Sequence, residues 1–147
     1  MNNNARIRLL GLSAATALLL ASCSRSEWPL ASPGRGLVVT VFQRVAAESP
    51  SESGRLFFRV ELNGREVLAD SPLGVRQAGK EFAAGLVFAG REDERIEETY
   101  PMVTGKKSIH RHVASQMTLS YKNPNGEVMR LVFRAADDGV AFRYDLL

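Results

Sequence analysis

Residues 129–147 read MRLVFRAADDGVAFRYDLL, and this stretch decides the fold class. In its first part apolar side chains stand at every second position, opposite Arg130 and Arg134. Residues 136–139 (ADDG) have the composition of a turn, and the second part alternates again, opposite Arg143 and Asp145. Alternation with a period of two is typical of a strand with one face in a core, so the stretch predicts an antiparallel hairpin. The side chains predicted to share its buried face are Met129, Leu131, Phe133, Ala135, Val140, Phe142, Tyr144 and Leu146.

The same alternation occurs upstream. Residues 55–62 (RLFFRVEL) alternate and run into Asn63-Gly64, a pair that tolerates positive φ and therefore predicts a tight hairpin turn. Residues 37–42 (LVVTVF) are apolar on both faces, and we expect both faces to be partly buried.

Two further segments complete the pattern. Residues 116–122 alternate, and the turn residues NPNG at 123–126 lead into the stretch quoted above. No segment keeps a helical period over three turns, and residues 92–98 (EDERIEE) give only a local indication of a helix. The sequence therefore predicts an all-β fold, an antiparallel β-sandwich.

The first 22 residues have the layout of a secretory signal. Arg6 and Arg8 precede the apolar run LLGLSAATALLL, which is shorter than the roughly 20 apolar residues needed to cross a bilayer. The residues that close this segment, Leu20, Ala21, Ser22 and Cys23, resemble the lipobox of bacterial lipoproteins. We therefore expect lipidation at Cys23, the only cysteine in the chain, and a membrane contact through that lipid anchor. The alternative is an incidental cysteine in a signal peptide that is cut elsewhere.

The expected organisation follows from that signal. Residues 1–22 form a lipoprotein signal peptide, residues 23–36 form a tether rich in Ser, Pro and Gly, and residues 37–147 form the β-sandwich domain. The location implied is the cell envelope, as an outer-membrane lipoprotein or in the periplasm. Removal of residues 1–22 leaves 17 Lys and Arg against 16 Asp and Glu, a net charge of +1. Spread charges of mixed sign argue against nucleic acid as a partner.

Few residues point to chemistry. His110 and His112 would lie on one face of a strand and could form half of a zinc site, although a polar strand face explains them as well. The acids of residues 92–98 could include a pair for glycoside hydrolysis, but crowded acids are more typical of a solvated loop. We therefore predict no catalytic residue and no metal site in this chain. The phenylalanines at core spacing are interpreted as core and not as sugar-stacking residues; they are Phe57, Phe58, Phe133 and Phe142.

Longer segments carry a family resemblance. Four segments resemble, in order and separation, the N-terminal domain of glycoside hydrolase family 97: residues 54–68 (GRLFFRVELNGREVL), 71–75 (SPLGV), 97–112 (EETYPMVTGKKSIHRH) and 130–146. The resemblance implies part of a galactose-mutarotase-like β-super-sandwich that packs on a catalytic (β/α)8 barrel. The sequence of this chain departs from the family pattern at Thr104-Gly105 and at residues 113–116.

The resemblance also implies a function. This chain would be a non-catalytic accessory β-domain of a calcium-dependent α-glycosidase, supporting the barrel and its carbohydrate cleft. The catalytic carboxylates and the α-linked oligosaccharide would belong to the barrel, and calcium is expected for the intact enzyme, with no cofactor in this chain. No carbohydrate-binding residue is assigned in this chain.

The end of the sequence also bears on this interpretation. Residues 141–147 end on an apolar strand, from which we expect an incomplete domain, a fragment of the longer enzyme. The alternatives are a complete small sandwich and a freestanding envelope lipoprotein that binds carbohydrate or a protein partner without turnover.

Overall fold

The computed structural model describes residues 26–44, 53–101 and 109–147, and in these residues it contains strands and no helix. The described part contains ten strands. They are β1 (Ser26–Ala31), β2 (Leu37–Arg44), β3 (Arg55–Leu62), β4 (Arg65–Leu73), β5 (Val75–Gln77), β6 (Lys80–Phe82), β7 (Val87–Pro101), β8 (Ile109–Lys122), β9 (Val128–Ala136) and β10 (Gly139–Leu146). Every pairing is antiparallel. The predicted all-β antiparallel fold is confirmed.

Two four-stranded sheets form the sandwich. The first has the order β1-β2-β3-β4 and the second the order β10-β9-β8-β7, with a small β5-β6 sheet between them in the chain. Each strand of a large sheet therefore pairs with its neighbour in sequence. Ring contacts join the sheets: Trp28 of β1 stacks on Phe88 of β7 at 4.7 Å between centroids, and Phe58 of β3 meets Phe133 of β9 at 5.6 Å.

The core lies between the inner faces of the two sheets. Strands β8 and β9 supply the alternating apolar residues that the sequence predicted, and β2 is buried on both faces as expected. The fully buried large side chains are Tyr121, Phe42, Phe82, Phe133, Leu56, Met117, Leu119, Met129, Leu131, Val39 and Val41. Burial of this apolar surface is the main favourable term in the stability of the sandwich.

Strand β1 corrects the predicted tether. Residues Ser26–Ala31 pair with β2, with Trp28 opposite Val41 and Leu30 opposite Val39. Trp28 and Leu30 are buried because they alternate onto the inner face. The tether prediction for residues 23–36 is therefore wrong at β1, and the ordered domain begins before Leu37.

The free edge of β1 is blocked against further pairing. Pro29 has no backbone N–H, and Arg91 Nη2 donates a hydrogen bond to the Pro29 carbonyl at 3.1 Å. Prolines and charged side chains on an edge strand prevent the addition of another chain.

The acidic segment at residues 92–98 is neither a helix nor a loop. It lies inside β7, with Glu92 opposite Thr118 and Glu98 opposite His112. Beyond Ala136, where β9 ends, β7 and β8 pair only with each other and project as a two-stranded ribbon formed by Glu97–Pro101 and Ile109–Val113.

The phenylalanines differ from one another in burial. Phe133 is fully buried, Phe57 and Phe58 are half-buried, and Phe142 is 43 % exposed. Phe142 shares the inner face but lies on β10, the last strand of its sheet in the described residues. The core interpretation therefore holds for Phe133 and fails in part for Phe142.

Candidate functional site

The lipobox and its cysteine cannot be placed. Leu20, Ala21, Ser22 and Cys23 lie outside the described residues. Within the described ranges, no helix has the length and apolar character needed to cross a bilayer.

A polar surface lies on the outer face of the second sheet. Because side chains alternate between faces, the register places Glu94, Gln116 and Arg134 in one row across β7, β8 and β9. Glu98 and His112 stand opposite each other on the ribbon, and Tyr100 stands opposite His110 two residues further along it. We call this surface the outer-face site and define it as Glu94, Glu98, Tyr100, His110, His112, Gln116, Arg134 and Asp138.

A hydrogen-bond network crosses three strands of the outer-face site. Arg134 Nε donates to Gln116 Oε1 at 2.7 Å, and Gln116 Nε2 donates to Glu94 Oε2 at 3.2 Å. Arg134 Nη1 lies 3.5 Å from Glu98 Oε1. The planar guanidinium is thus held by an amide and a carboxylate, and its side chain remains 37 % exposed.

A cavity of about 350 Å³ adjoins this network. Its polar lining comes from His112, Arg134 and Asp138. Its remaining lining is made of small or apolar residues, namely Ala114, Ala136, Gly139, Val140 and Ala141. Small side chains on three neighbouring strands leave a depression in the sheet surface, and longer polar side chains surround it.

An aromatic pair extends the outer-face site onto the ribbon. The rings of Tyr100 and His110 are 5.3 Å apart between centroids and tilted by 50°, and Tyr100 is 41 % exposed. On the other face of the ribbon Arg111 Nε donates to Glu97 Oε1 at 2.8 Å. These contacts hold the ribbon together while leaving one face of the aromatic pair toward solvent.

The zinc interpretation of the two histidines gains nothing from this geometry. His110 and His112 do lie on one face of β8, as the spacing predicts, and their cross-strand partners are Tyr100 and Glu98. Among the described residues, no three side chains of His, Cys, Asp or Glu come close enough together to hold a metal ion.

The outer-face site is an electrostatically mixed surface with an excess of acid. Glu94, Glu98 and Asp138 bring three carboxylates, and Arg134 brings one guanidinium. Carboxylates accept hydrogen bonds, and guanidinium and imidazole groups donate them, so the surface suits a ligand with many donors and acceptors.

Sequence reasoning found only part of the outer-face site. It singled out His110, His112 and the acids of β7, and it passed over Tyr100, Gln116 and Asp138 as site residues. Arg134 was recognised only as a solvent-side residue. The signal that could have joined them is the register of β7, β8 and β9, which depends on pairing across strands.

A family model covers most of this chain, and a curated relative matches it as well. Residues 30–147 match the family model described as "Glycosyl-hydrolase 97 N-terminal". A curated relative, a "Probable retaining alpha-galactosidase" of Streptomyces bingchenggensis (strain BCW-1), is 31 % identical over 140 residues, which is 92 % of this chain and 21 % of the relative. The chain therefore spans about a fifth of the length of that relative.

Solved structures show the same fold. The crystal structure of a beta-arabinopyranosidase superposes with a TM-score of 0.70 at 27 % identity, over 81 % of this chain and 18 % of that protein. A Glycoside Hydrolase Family 97 enzyme from Pseudoalteromonas sp. strain K8, in complex with panose, superposes with a TM-score of 0.66 at 16 % identity, over 81 % of this chain and 17 % of that enzyme.

Proposed function

Because this chain belongs to the Glycosyl-hydrolase 97 N-terminal family, we propose that it is the non-catalytic N-terminal β-domain of an α-glycosidase. In this role the sandwich supports a catalytic barrel and the carbohydrate cleft of that barrel. The observation that carries the proposal is the family match, which runs from Leu30, near the end of β1, through β10. The match to a probable retaining alpha-galactosidase, of which this chain covers 21 %, is the second support.

Calcium belongs to this proposal, but the described residues do not fit a calcium site. Calcium takes six to eight oxygen ligands, mostly from carboxylates, carbonyls and water. Among the described residues no three acidic, histidine or cysteine side chains converge. Glu97 and Glu98 instead contact Arg111 and Arg134. In the proposed enzyme the calcium ion would be held by parts of the protein outside these residues.

The proposed test compares two products of the same gene. We would express the complete reading frame that contains this sequence, and separately the chain that stops at Leu147. Hydrolysis of nitrophenyl α-galactoside and α-glucoside is expected from the complete product and not from the short chain. We also expect the reading frame to continue for several hundred codons beyond Leu147. The mass of the native protein should correspond to that longer product.

A stop codon directly after Leu147, with a native protein of the short mass, would contradict the enzyme proposal. The freestanding envelope lipoprotein that binds carbohydrate or a protein partner would then replace it.

The lipid anchor is a separate proposal, and residues 20–23 (LASC) support it. A thiol carrying acyl chains would hold the protein at the cell envelope, in the outer membrane or facing the periplasm. We expect radioactive palmitate to label the protein and the Cys23→Ser variant to lose both the label and the membrane fraction. Ser24→Ala is the matched control. An unlabelled protein with an unchanged distribution would refute the anchor.

A further inference from the structure

We propose that the outer-face site binds a neutral saccharide unit. The aromatic pair of Tyr100 and His110 would lie against a sugar ring, and Glu98, His112 and Arg134 would bind its hydroxyl groups. The cavity beside Asp138 would take a neighbouring unit of the same saccharide. The choice of sugars for the test rests on the proposed function, whereas the site rests on the geometry alone.

The charges of the outer-face site favour a neutral ligand over the common charged ones. The outer-face site as defined carries three carboxylates and one guanidinium, and that guanidinium already lies 3.5 Å from Glu98 Oε1, so a phosphate, sulfate or nucleic acid is disfavoured there. A metal ion is disfavoured because the acids of the described residues do not converge. A sugar carries no charge, and its hydroxyl groups can donate to carboxylates and accept from Arg134 and His112.

Hydrogen-bond geometry also favours a polyol. The guanidinium of Arg134 is fixed in plane by Gln116 Oε1 at 2.7 Å and approached by Glu98 Oε1 at 3.5 Å. Two adjacent hydroxyls on a pyranose ring could span this pair of planar groups. Because the Glu98 side chain is 53 % exposed, its carboxylate can accept without a large conformational change.

The apolar part of the site suits the nonpolar face of a sugar ring. One face of a pyranose ring is lined by C–H groups, which pack on aromatic rings and small apolar surfaces. The exposed ring of Tyr100 offers the first, and the alanines of the cavity lining offer the second. The cavity volume of about 350 Å³ lies within the range of small-ligand sites.

A purely structural role would explain part of the same geometry. The Tyr100–His110 pair could serve only to hold the ribbon together, because cross-strand aromatic pairs stabilise sheets. That role gives no reason for sugar affinity, and the two roles therefore separate in a binding experiment.

The test is calorimetric titration of the purified 147-residue chain with panose and with melibiose, each up to about 10 mM, which detects a Kd of about 1 mM. We expect one site for at least one of the two sugars. Arg134→Ala should weaken that binding about tenfold or more and Tyr100→Ala about fivefold. Tyr100→Phe keeps the ring and should retain most of the affinity.

Matched controls lie on the same strands. Thr99→Ala changes the neighbour of Tyr100 on the opposite face of β7, and Arg130→Ala removes an exposed arginine of β9 outside the outer-face site. Neither should change affinity by more than about twofold. Thermal unfolding of each variant shows whether the sheet is intact.

Three results would overturn the proposal. They are no binding of either sugar, unchanged binding in the Arg134→Ala and Tyr100→Ala double variant, and equal losses in the site and control variants. These results measure saccharide binding by the short chain, whereas the proposed function is tested by hydrolysis with the longer product. The saccharide site and the proposed function can therefore fail independently.

Discussion

Tyr121 carries a hydroxyl group that is fully buried and has no hydrogen-bond partner among the described residues. Its ring packs edge-on against the stacked rings of Trp28 and Phe88, with its centroid 5.8 Å from each. An unsatisfied buried hydroxyl costs stability because it leaves water without a replacement bond. The same burial raises the pKa of this phenol above its ordinary value.

Tyr121→Phe is therefore expected to stabilise the sandwich. Removal of the hydroxyl should raise the free energy of unfolding by up to about 1 kcal/mol, because the ring contacts remain. Denaturation in urea measures the difference. Tyr144→Phe is the matched control, since the Tyr144 hydroxyl accepts a hydrogen bond from Gly74 N at 3.0 Å and its loss should destabilise the protein. Equal shifts of the same sign in both variants would contradict this account.

The buried phenol of Tyr121 should also affect how the free energy of unfolding depends on pH. Above a pH of about 10 an unfolded tyrosine loses its proton, whereas native Tyr121 keeps it because its pKa is raised by burial. The unfolded state then binds fewer protons, so the free energy of unfolding falls as the pH rises, by about 1.4 kcal/mol per pH unit for this group. We expect a shallower fall in Tyr121→Phe between pH 10 and 11. Parallel profiles would be inconsistent with the raised pKa.

Asp137 joins the two sheets through their turns. Its Oδ1 accepts a hydrogen bond from Gly34 N at 2.7 Å, across 103 positions of sequence. The Ser32 hydroxyl and then this amide lower the pKa of the carboxyl, since both bonds favour the charged form. A Cβ on residue 34 would lie 2.9 Å from Asp137 Oδ1, so the close approach depends on glycine.

Asp137→Asn should lower the urea midpoint at pH 7, and the deficit should shrink as the pH falls toward 2. The sign follows from the lowered pKa: the contribution is present above the unfolded value near 3.9 and is lost as the native carboxyl becomes protonated. Asp138→Asn, at the next turn position, is the control. A deficit that is the same at pH 7 and pH 3 would argue against a charged contact.

At the scale of elements, β1 is the strand whose contribution can be measured most directly. Trp28 is buried against both sheets, stacking on Phe88 and meeting the edge of Tyr121. Trp28→Ala should lower the free energy of unfolding by about 3 kcal/mol, in the range of large-to-small core substitutions. Val67→Ala, at an exposed position of β4, should change the free energy of unfolding by no more than about 0.5 kcal/mol. A loss below 1 kcal/mol at Trp28 would mean that β1 is not part of the cooperative fold.

The sequence predicted the elements that alternate and missed those that do not. Strands β3, β8, β9 and β10 show one apolar face, so their period was visible. Strand β1 places only Trp28 and Leu30 inward, within a segment of tether-like composition. Strand β7 carries charged residues on both faces, and its strand identity comes from pairing with β8.

The outer-face site was less predictable than the fold for a related reason. His112 and Arg134 are 22 positions apart in sequence and meet at one cavity only through the β8–β9 register. A register is set by turn geometry and by burial of the opposite face, so the outer face inherits its arrangement from the core. Nothing in the local sequence around Arg134 indicates which side chains stand beside it.

At the scale of the whole molecule, the two large sheets depend on each other. Each has an inner face of fully buried side chains, such as Val39 and Val41 on the first and Leu119 and Leu131 on the second. Neither sheet covers its own apolar face, so neither should persist without the other.

We therefore expect one cooperative unfolding transition. The only tryptophan of the chain, Trp28, belongs to the first sheet and touches the second, so its fluorescence reports on their packing. Fluorescence and far-ultraviolet circular dichroism should give coincident urea curves. Curves that separate would show that one sheet survives the loss of the other.

The simple order of strands has a consequence during synthesis. The first sheet is complete at Leu73, and the second begins at Val87. At about 5–20 residues per second, the 73 residues from Gly74 to Leu146 that complete the second sheet take about 4 to 15 s to emerge. For that interval the inner face of the first sheet, including Val39 and Leu56, has no partner from its own chain. The nascent protein is therefore most exposed to aggregation, and most in need of a chaperone, during the time between its two sheets.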